Sequence, residues 1–523
     1  MLSLQNIKKA KDNLSSCNVL HFQNVTCSFK KFISDLKIVK FRHIEDLVIN
    51  FSHPITIISG SNKIGKTSIL LLLACSHENF KKLDSTKTET TMRIHAWKDV
   101  LRFTKYENDA SEYCYEMRWR IGEKRCTGTG KRVGSKHSWT GLAKKSNATR
   151  MNSKIKEYEV RLIDLDRVCP ARDVSNSLHS KVNRLSIKNE LSQEICQAFS
   201  YIFELNTVKI YRVGEHISKR CFLIELNSGT EYSSYSTASG EDAVISILID
   251  LFETPANALI LIDELEAGFH PSIQRRLADI IQYVSWHHKK QFIITTHSPT
   301  LMSSFPQSSR RFIEKTNEGK YHVVAKISTM AAFSKMDIFS HPLLRIYCED
   351  SLAGFLIRKT IVRLSESYLA FNRLVNIIEA GPANKVKEYY SAHKSIFPSM
   401  LPKIGYCCII DGDYFNQRDF QDLKNDDGVF FLFPHEAPEK FLARSYLAVN
   451  PCEQLSAFLE HNDHHLFFQE LCNNGKATDI NDARNLCFDI YQTTEDYKQL
   501  EKALYDFIKN QVVKFSECAD INS

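Results

Sequence analysis

Hydrophobic and polar positions divide the chain into two successive α/β patterns. Short apolar runs at 38–41 and 47–51 alternate as in a hairpin, and the run 55–58 is of the kind buried on both faces of a sheet. It leads into a glycine-rich loop and then into 68–75, an apolar run of helical length. Alternation from 91 to 160 predicts antiparallel hairpins carrying a basic loop. Helical spacing over 186–203, alternation over 208–226 and a helix over 239–251 follow. The runs 258–262 and 292–295, with an amphipathic helix over 273–286 between them, form a strand–helix–strand unit and so predict a parallel sheet. A second cycle begins at 343, with strands at Leu344–Cys348, 374–378 and 404–410 separated by helices at 352–364 and 384–393. Beyond Pro438 the pattern is helical, and a linker is expected near 303–307 or 334–342.

These patterns give an α/β protein of several parts. A basic N-terminal extension (1–34) precedes a large domain (35–335, with the hairpin insertion at about 91–160). A smaller α/β domain (336–445) and a helical C-terminal region (446–523) follow. Length agrees, because 523 residues exceed the ~250–300 that one hydrophobic core accommodates. No apolar run approaches the ~20 residues of a membrane-spanning helix, and no membrane partner is expected. Fifteen cysteines stand without CxxC spacing, which reads as free thiols in a reducing, cytoplasmic setting. The net charge of +7 is unevenly spread: ten Lys or Arg and no acid fall between Lys124 and Lys156. Those residues, Lys124, Arg125, Lys131, Arg132, Lys136, Lys144, Lys145, Arg150, Lys154 and Lys156, with His137 and Trp139 among them, can track a phosphate backbone or form a solvated hairpin loop.

The loop Gly60-Ser61-Asn62-Lys63-Ile64-Gly65-Lys66-Thr67 carries the sharpest chemistry. Gly60 and Gly65 let backbone N–H groups face phosphate oxygens, Lys66 reaches the outer phosphates of ATP, and Thr67 offers a hydroxyl to Mg²⁺; Asn62 and Ser68 complete the expected contacts. Asp263 and Glu264 end the apolar run 258–262, placing Asp263 near Mg²⁺ and Glu264 beside an attacking water. Thr295-Thr296-His297-Ser298 ends the next run, with His297 positioned to sense the γ-phosphate. Downstream, Glu349 ends one strand and Asp411-Gly412-Asp413 ends another, so three carboxylates converge at one sheet edge as a site for hard divalent cations. Glu436 and Glu439 are candidates for a second metal position, against the simpler reading of Glu439 as a helix-start acid.

The order of these motifs resembles the ABC-type ATPases of the SMC, RecF and OLD (overcoming lysogenization defect) group. The resemblance implies that Glu264 is a general base, 266–271 a D-loop, and His297 a switch histidine. Ser239 and Gly240 would be part of a signature motif that contacts ATP on another protomer, hence a homodimer or higher oligomer through the ATPase domains. Glu349, Gly381 and the Asp-x-Asp resemble a TOPRIM domain, and TOPRIM behind an ABC ATPase is the layout of OLD-family nucleases. By that resemblance Glu349 is a metal ligand or general acid/base, and Asp411 and Asp413 hold Mg²⁺ or Mn²⁺. DNA is the expected substrate, antiviral defence the setting, and a retron DNA–RNA hybrid or a helicase a candidate partner. The competing readings are a DNA-end sensor with an inactive TOPRIM platform, a topoisomerase or primase, and a transporter motor; the last is disfavoured by the acidic second domain.

Overall fold

Leu259–Ile262 and Gln291–Thr295 expose no position, so both must lie within a sheet covered on its two faces. The computed structural model describes residues 2–16, 28–78, 80–82, 93–94, 112–133, 138–144, 155, 158–169, 188–206, 208–213, 222–236, 239–315, 319–336, 342–367, 374–400, 403–432 and 435–521. The chain forms two compact units, Met1–Thr329 and Met330–Ser523.

An eight-stranded sheet centres the first unit, in spatial order Tyr321–Ala325, Arg310–Lys315, Ile55–Gly60, Gln291–Thr295, Leu259–Ile262, Val160–Ile163, Phe80–Lys82 and Arg93–Ile94. Its six inner strands are parallel and the two edge strands pair antiparallel. The predicted strand–helix–strand unit is present, with Pro271–His288 as its helix. The expected linker at 303–307 is instead a helix end leading into Arg310–Lys315, which extends the sheet beside Ile55–Gly60. The hairpins expected after residue 91 belong to a five-stranded antiparallel sheet, which joins Ile44–Asn50, Lys31–Phe41, Tyr113–Ile121, Lys124–Val133 and Ser138–Lys144 in that order. Between the two sheets lies the helix Lys66–Cys75, burying Ile69, Leu70, Leu72 and Leu73 in a core shared with Leu36, Ile49, Met117 and Leu261. Truncating any one of those leucines to Ala would cost about 2–5 kcal/mol, so the phosphate loop is anchored to the best-packed part of the unit. The N-terminal segment is less of an extension than its charge suggested: Leu4–Ser16 is a helix against Pro271–His288, with Lys11 paired to Asp279 at 2.7 Å.

In the second unit, four strands run parallel in the order Val375–Glu379, Leu344–Cys348, Gly405–Ile410, Val429–Phe431. The C-terminal helices do not stand apart from this sheet at 445/446. Leu442, Phe488, Leu504, Ile508 and Phe515 bury in one core with Ile346 and Ile409. Gly405 marks the closeness, since a Cβ there would lie 2.3 Å from the Phe515 ring. A helical pattern alone could not show this, because it does not say what covers its apolar face.

Candidate functional sites

The loop after Ile55–Gly60 folds as its glycines require. Gly65 has φ +99°, and a Cβ on it would meet Ile44 at 2.6 Å. Gly60 serves packing more than phosphate contact: a Cβ would meet the Ile313 carbonyl oxygen at 2.4 Å, and Gly60 does not line the cavity above the loop. That cavity, 570 Å³, is lined by His43, Asn62, Lys63, Gly65, Lys66, Thr67, Ser68, Glu264 and His297. Lys66 Nζ donates to the carbonyls of Gly60 and Ser61, both at 3.1 Å, and burial brings its pKa down to about 8 against the pull of Glu264 and Asp263. A phosphate would take over these donor positions and restore the full charge.

Asp263 binds the loop to the next strand. Thr67 Oγ1 donates to its Oδ2 at 2.8 Å and Thr295 Oγ1 donates to its Oδ1 at 2.5 Å. A hydroxyl and a carboxylate side by side beneath the cavity are a donor set suited to Mg²⁺. Glu264 adopts φ +44°, a conformation costly for a side-chain-bearing residue, and three hydrogen bonds hold the backbone there. Its N–H donates to Thr295 Oγ1 at 2.8 Å, while Arg167 donates to the carbonyls of Asp263 and Glu264 at 2.9 and 2.5 Å. Desolvation, then Asp263 and Glu266, raise the Glu264 pKa, as suits a base. His297 is held neutral, its pKa lowered by burial and then by Lys66. Its N–H donates to Glu266 Oε1 at 2.6 Å, so the expected D-loop and switch segments are joined directly. Ser68, expected at the nucleotide, lines the cavity while accepting a hydrogen bond from Arg42 at 3.3 Å. Gly240 lies in the first turn of the helix Ser239–Glu253, and its Cβ position is 3.5 Å from the Gly268 carbonyl; Gly240 does not line the cavity. His43, Arg42 and Arg167 carry no signal in the sequence. Only the fold brings Arg167 to a position 97 residues away.

The second unit gathers Glu349 and Asp411 at the carboxyl ends of adjacent parallel strands. The Asp411 N–H donates to Glu349 Oε1 at 3.3 Å. Burial pushes Glu349 up to about 7, although N–H groups of Asp411 and Ala383 favour its charged form. Burial, then Glu349, Asp350, Glu439 and Asp413, push Asp411 up to about 9. Asp411 therefore retains its proton at neutral pH, and Glu349 does so in part, unless a cation replaces them. Asp411 Oδ1 and Glu439 Oε2 are buried without a hydrogen-bond partner among the described residues. Asp413 is close enough to act on both carboxyls, in the short 3₁₀ turn Gly412–Tyr414. Gly412 makes the turn possible for another reason than metal access: a Cβ would lie 2.3 Å from the Leu432 carbonyl and 2.6 Å from His435 Cα. Asp350 caps the helix Ser351–Ser367, accepting from the N–H groups of Leu352 and Ala353 at 2.9 Å. Glu436 is turned elsewhere, paired with Arg444 at 2.6 Å, whereas Glu439 is buried beside His465 at 2.9 Å.

The basic segment is only partly what its charge implied. Lys124, Arg125 and Lys131 are exposed on the antiparallel sheet. Arg132 is 3 % exposed and sits over the Tyr113 ring, because alternation turns it inward. Lys144 and Trp139 lie on the outer strand Ser138–Lys144. Lys136, His137, Lys145, Arg150, Lys154 and Lys156 fall outside the described residues.

Comparison with known proteins bears on the first unit. Residues 35–209 match a family described as AAA domain, and residues 170–303 match one described as AAA domain, putative AbiEii toxin, Type IV TA system. The first unit thus contains an AAA-type ATPase domain, which binds nucleotide. Among solved structures, the SMC head domain from Thermotoga maritima is similar at 14% identity and a TM-score of 0.36, covering 56% of this chain and 98% of that one. An SmcHead bound to the C-winged helix domain of ScpA gives 16% identity and 0.35, with 56% and 97% covered. An Smc head domain with an extended coiled coil bound to the C-terminal domain of ScpA, derived from Pyrococcus furiosus, gives 12% and 0.35, with 56% and 96% covered.

Proposed function

We propose that the chain is an ATP-regulated, divalent-cation-dependent DNA endonuclease of the OLD type, acting in the cytoplasm in prokaryotic antiviral defence. The observation that carries the nuclease half is the convergence of Glu349 and Asp411, with Asp413 beside them and a partnerless buried oxygen on Asp411. Buried carboxylates left without donors are costly to ionise, and a hard cation offsets that cost. Glu349, Asp411 and Asp413 would hold Mg²⁺ or Mn²⁺, which supplies an activated water and charge stabilisation at the leaving oxygen. The protein's own part is to aim these carboxylates from rigid strand ends.

In the first unit Lys66 and Thr67 would take the ATP phosphates and Mg²⁺, with Asp263 behind them and Glu264 as the base. Ser239 and Gly240, at the start of the helix Ser239–Glu253, would complete the site of a second protomer, so that ATP occupancy governs a homodimer or higher oligomer. Exposed Lys124, Arg125 and Lys131 supply a surface for DNA, a retron DNA–RNA hybrid being one such polyanion and a helicase a candidate protein partner.

Purified chain given supercoiled plasmid and Mn²⁺ tests the reading. Glu349→Gln and Asp411→Asn should each abolish nicking while ATP binding stays intact. Cleavage that persists in both overturns the nuclease assignment; ATP turnover without cleavage under any metal favours a sensor with an inactive platform.

A further inference from the structure

Glu439, His464 and His465 bring one ligand atom each within 4.8 Å of one another, on two elements of the second unit. Glu439 stands in the first turn of the helix Pro438–Val449, and the histidines open the 3₁₀ turn His464–Leu466. Asp463 fixes that turn by accepting from the His465 N–H at 3.0 Å, which holds both imidazoles toward the same neighbour, with ring centroids 4.2 Å apart. Glu439 is only 4 % exposed. Its Oε1 meets His465 Nδ1 at 2.9 Å and its Oε2 has no hydrogen-bond partner among the described residues. A simple Glu–His ion pair accounts for the first oxygen and leaves the second unexplained. Burying a carboxylate with one oxygen bare costs on the order of 1–3 kcal/mol or more, and a cation at this point would remove that cost.

We infer that Glu439, His464 and His465 form a binding site for a borderline divalent cation, Zn²⁺ by preference, distinct in its donors from the all-oxygen cluster of Glu349, Asp411 and Asp413. Two imidazoles and one carboxylate are a three-ligand set that leaves a fourth tetrahedral position open. Ligand atoms on Zn²⁺ at ~2.0–2.1 Å stand about 3.3 Å apart, so binding draws together three atoms that lie within 4.8 Å of one another by at most roughly 1.5 Å. Imidazole selects Zn²⁺, Co²⁺ or Ni²⁺ over Mg²⁺, which prefers oxygen and resists losing its waters. The proposal stands on this geometry and not on DNA cleavage; a metal can bind here whether or not the chain cuts.

The test is a competition titration of the full, chelator-stripped, nucleotide-free chain with Zn²⁺ against a chromophoric chelator, paired with Co²⁺ absorption spectra. One high-affinity Zn²⁺ per chain is expected, undisturbed by excess Mg²⁺. His464→Gln, His465→Gln and Glu439→Gln should each weaken it by at least ~10–100-fold, the loss typical of even an outer-sphere change, and Lys66→Ala should not. Bound Co²⁺ should show no thiolate charge-transfer band. His465→Cys, which supplies a different ligand at the same place, should bind and gain that band, so a loss through misfolding is distinguished from loss of a ligand. Absence of stoichiometric Zn²⁺, binding that survives His464→Gln and His465→Gln together, or a thiolate band in the unaltered chain overturns the proposal. Zn²⁺ binding without any nuclease activity leaves it standing and instead rejects the cleavage reading.

Discussion

Asp411→Asn should make the metal-free second unit insensitive to pH where the unaltered protein loses stability. Asp411 titrates at about 9 in the folded state, far above the ordinary carboxylate range, because burial and then Glu349 disfavour its charge. A carboxyl whose pKa is raised by folding contributes stability that is fully present below its unfolded pKa, ~4, and lost as pH rises to the folded value. Glu349, pushed up to about 7, adds to the slope only below neutrality. Between pH 7.5 and 8.5 Asp411 is therefore the one of the pair still carrying its extra proton, and stability should fall by on the order of 1 kcal/mol across that unit. With a urea dependence on the order of 2 kcal/mol per molar, the midpoint should drop by roughly half a molar. Asn cannot ionise, so the variant should show little of this drop. The buried thiols Cys407 and Cys408, on the strand that ends at Asp411, offer a local probe. Pulse alkylation read by peptide mass spectrometry in a chelator reports the second unit; tryptophan fluorescence would not, because all four tryptophans, 97, 119, 139 and 286, lie before residue 330. Equal midpoint shifts in the two proteins, or none in either, would show that Asp411 does not hold a proton and that the cluster is not strained by its own charge.

Three further outcomes follow from the same geometry. Glu264→Gln should keep ATP binding and slow hydrolysis by roughly 10²–10⁴-fold, the usual contribution of a general base; single-turnover kinetics would check it. Gly412→Ala should destabilise the second unit by about 1–3 kcal/mol through overpacking against Leu432 and His435, visible in the same thiol assay with the first unit's fluorescence unchanged. Alanine at Lys124, Arg125 and Lys131 together should weaken DNA binding uniformly across sequences and reduce the salt slope by about one for each of these cations that meets a phosphate, measured by anisotropy across salt concentrations, whereas Arg132→Ala should act on stability because Arg132 is buried over Tyr113.

What the sequence disclosed depended on how local each feature is. The phosphate loop was legible because glycine spacing, Lys66 and Thr67 lie in one short stretch, and Asp263 and Glu264 because buried strands have a recognisable run and a defined end. Glu349 and Asp411 could be paired through the rule that parallel strands share a carboxyl edge. Arg167 and His43 had no such mark: each reaches the nucleotide site from another element, and an isolated Arg or His carries no pattern. Arg132 was misplaced by reading charge without the two-residue period of its strand. The strands Arg310–Lys315 and Tyr321–Ala325 escaped notice because charged and polar residues interrupt them, although Arg310 and Arg311 bury their side chains against backbone carbonyls and a hydroxyl. The helices after Pro438 were foreseen, yet neither their shared core with the sheet nor the meeting of Glu439 with His464 and His465 is written in helical spacing.

The most direct test of two separate chemistries in one chain is a parallel assay of plasmid nicking and ATP binding in Lys66→Ala and Asp411→Asn. The account predicts that Asp411→Asn binds ATP like the unaltered chain and cuts nothing, while Lys66→Ala loses ATP and with it the nucleotide dependence of cutting. Cleavage by Asp411→Asn at the unaltered rate would contradict it.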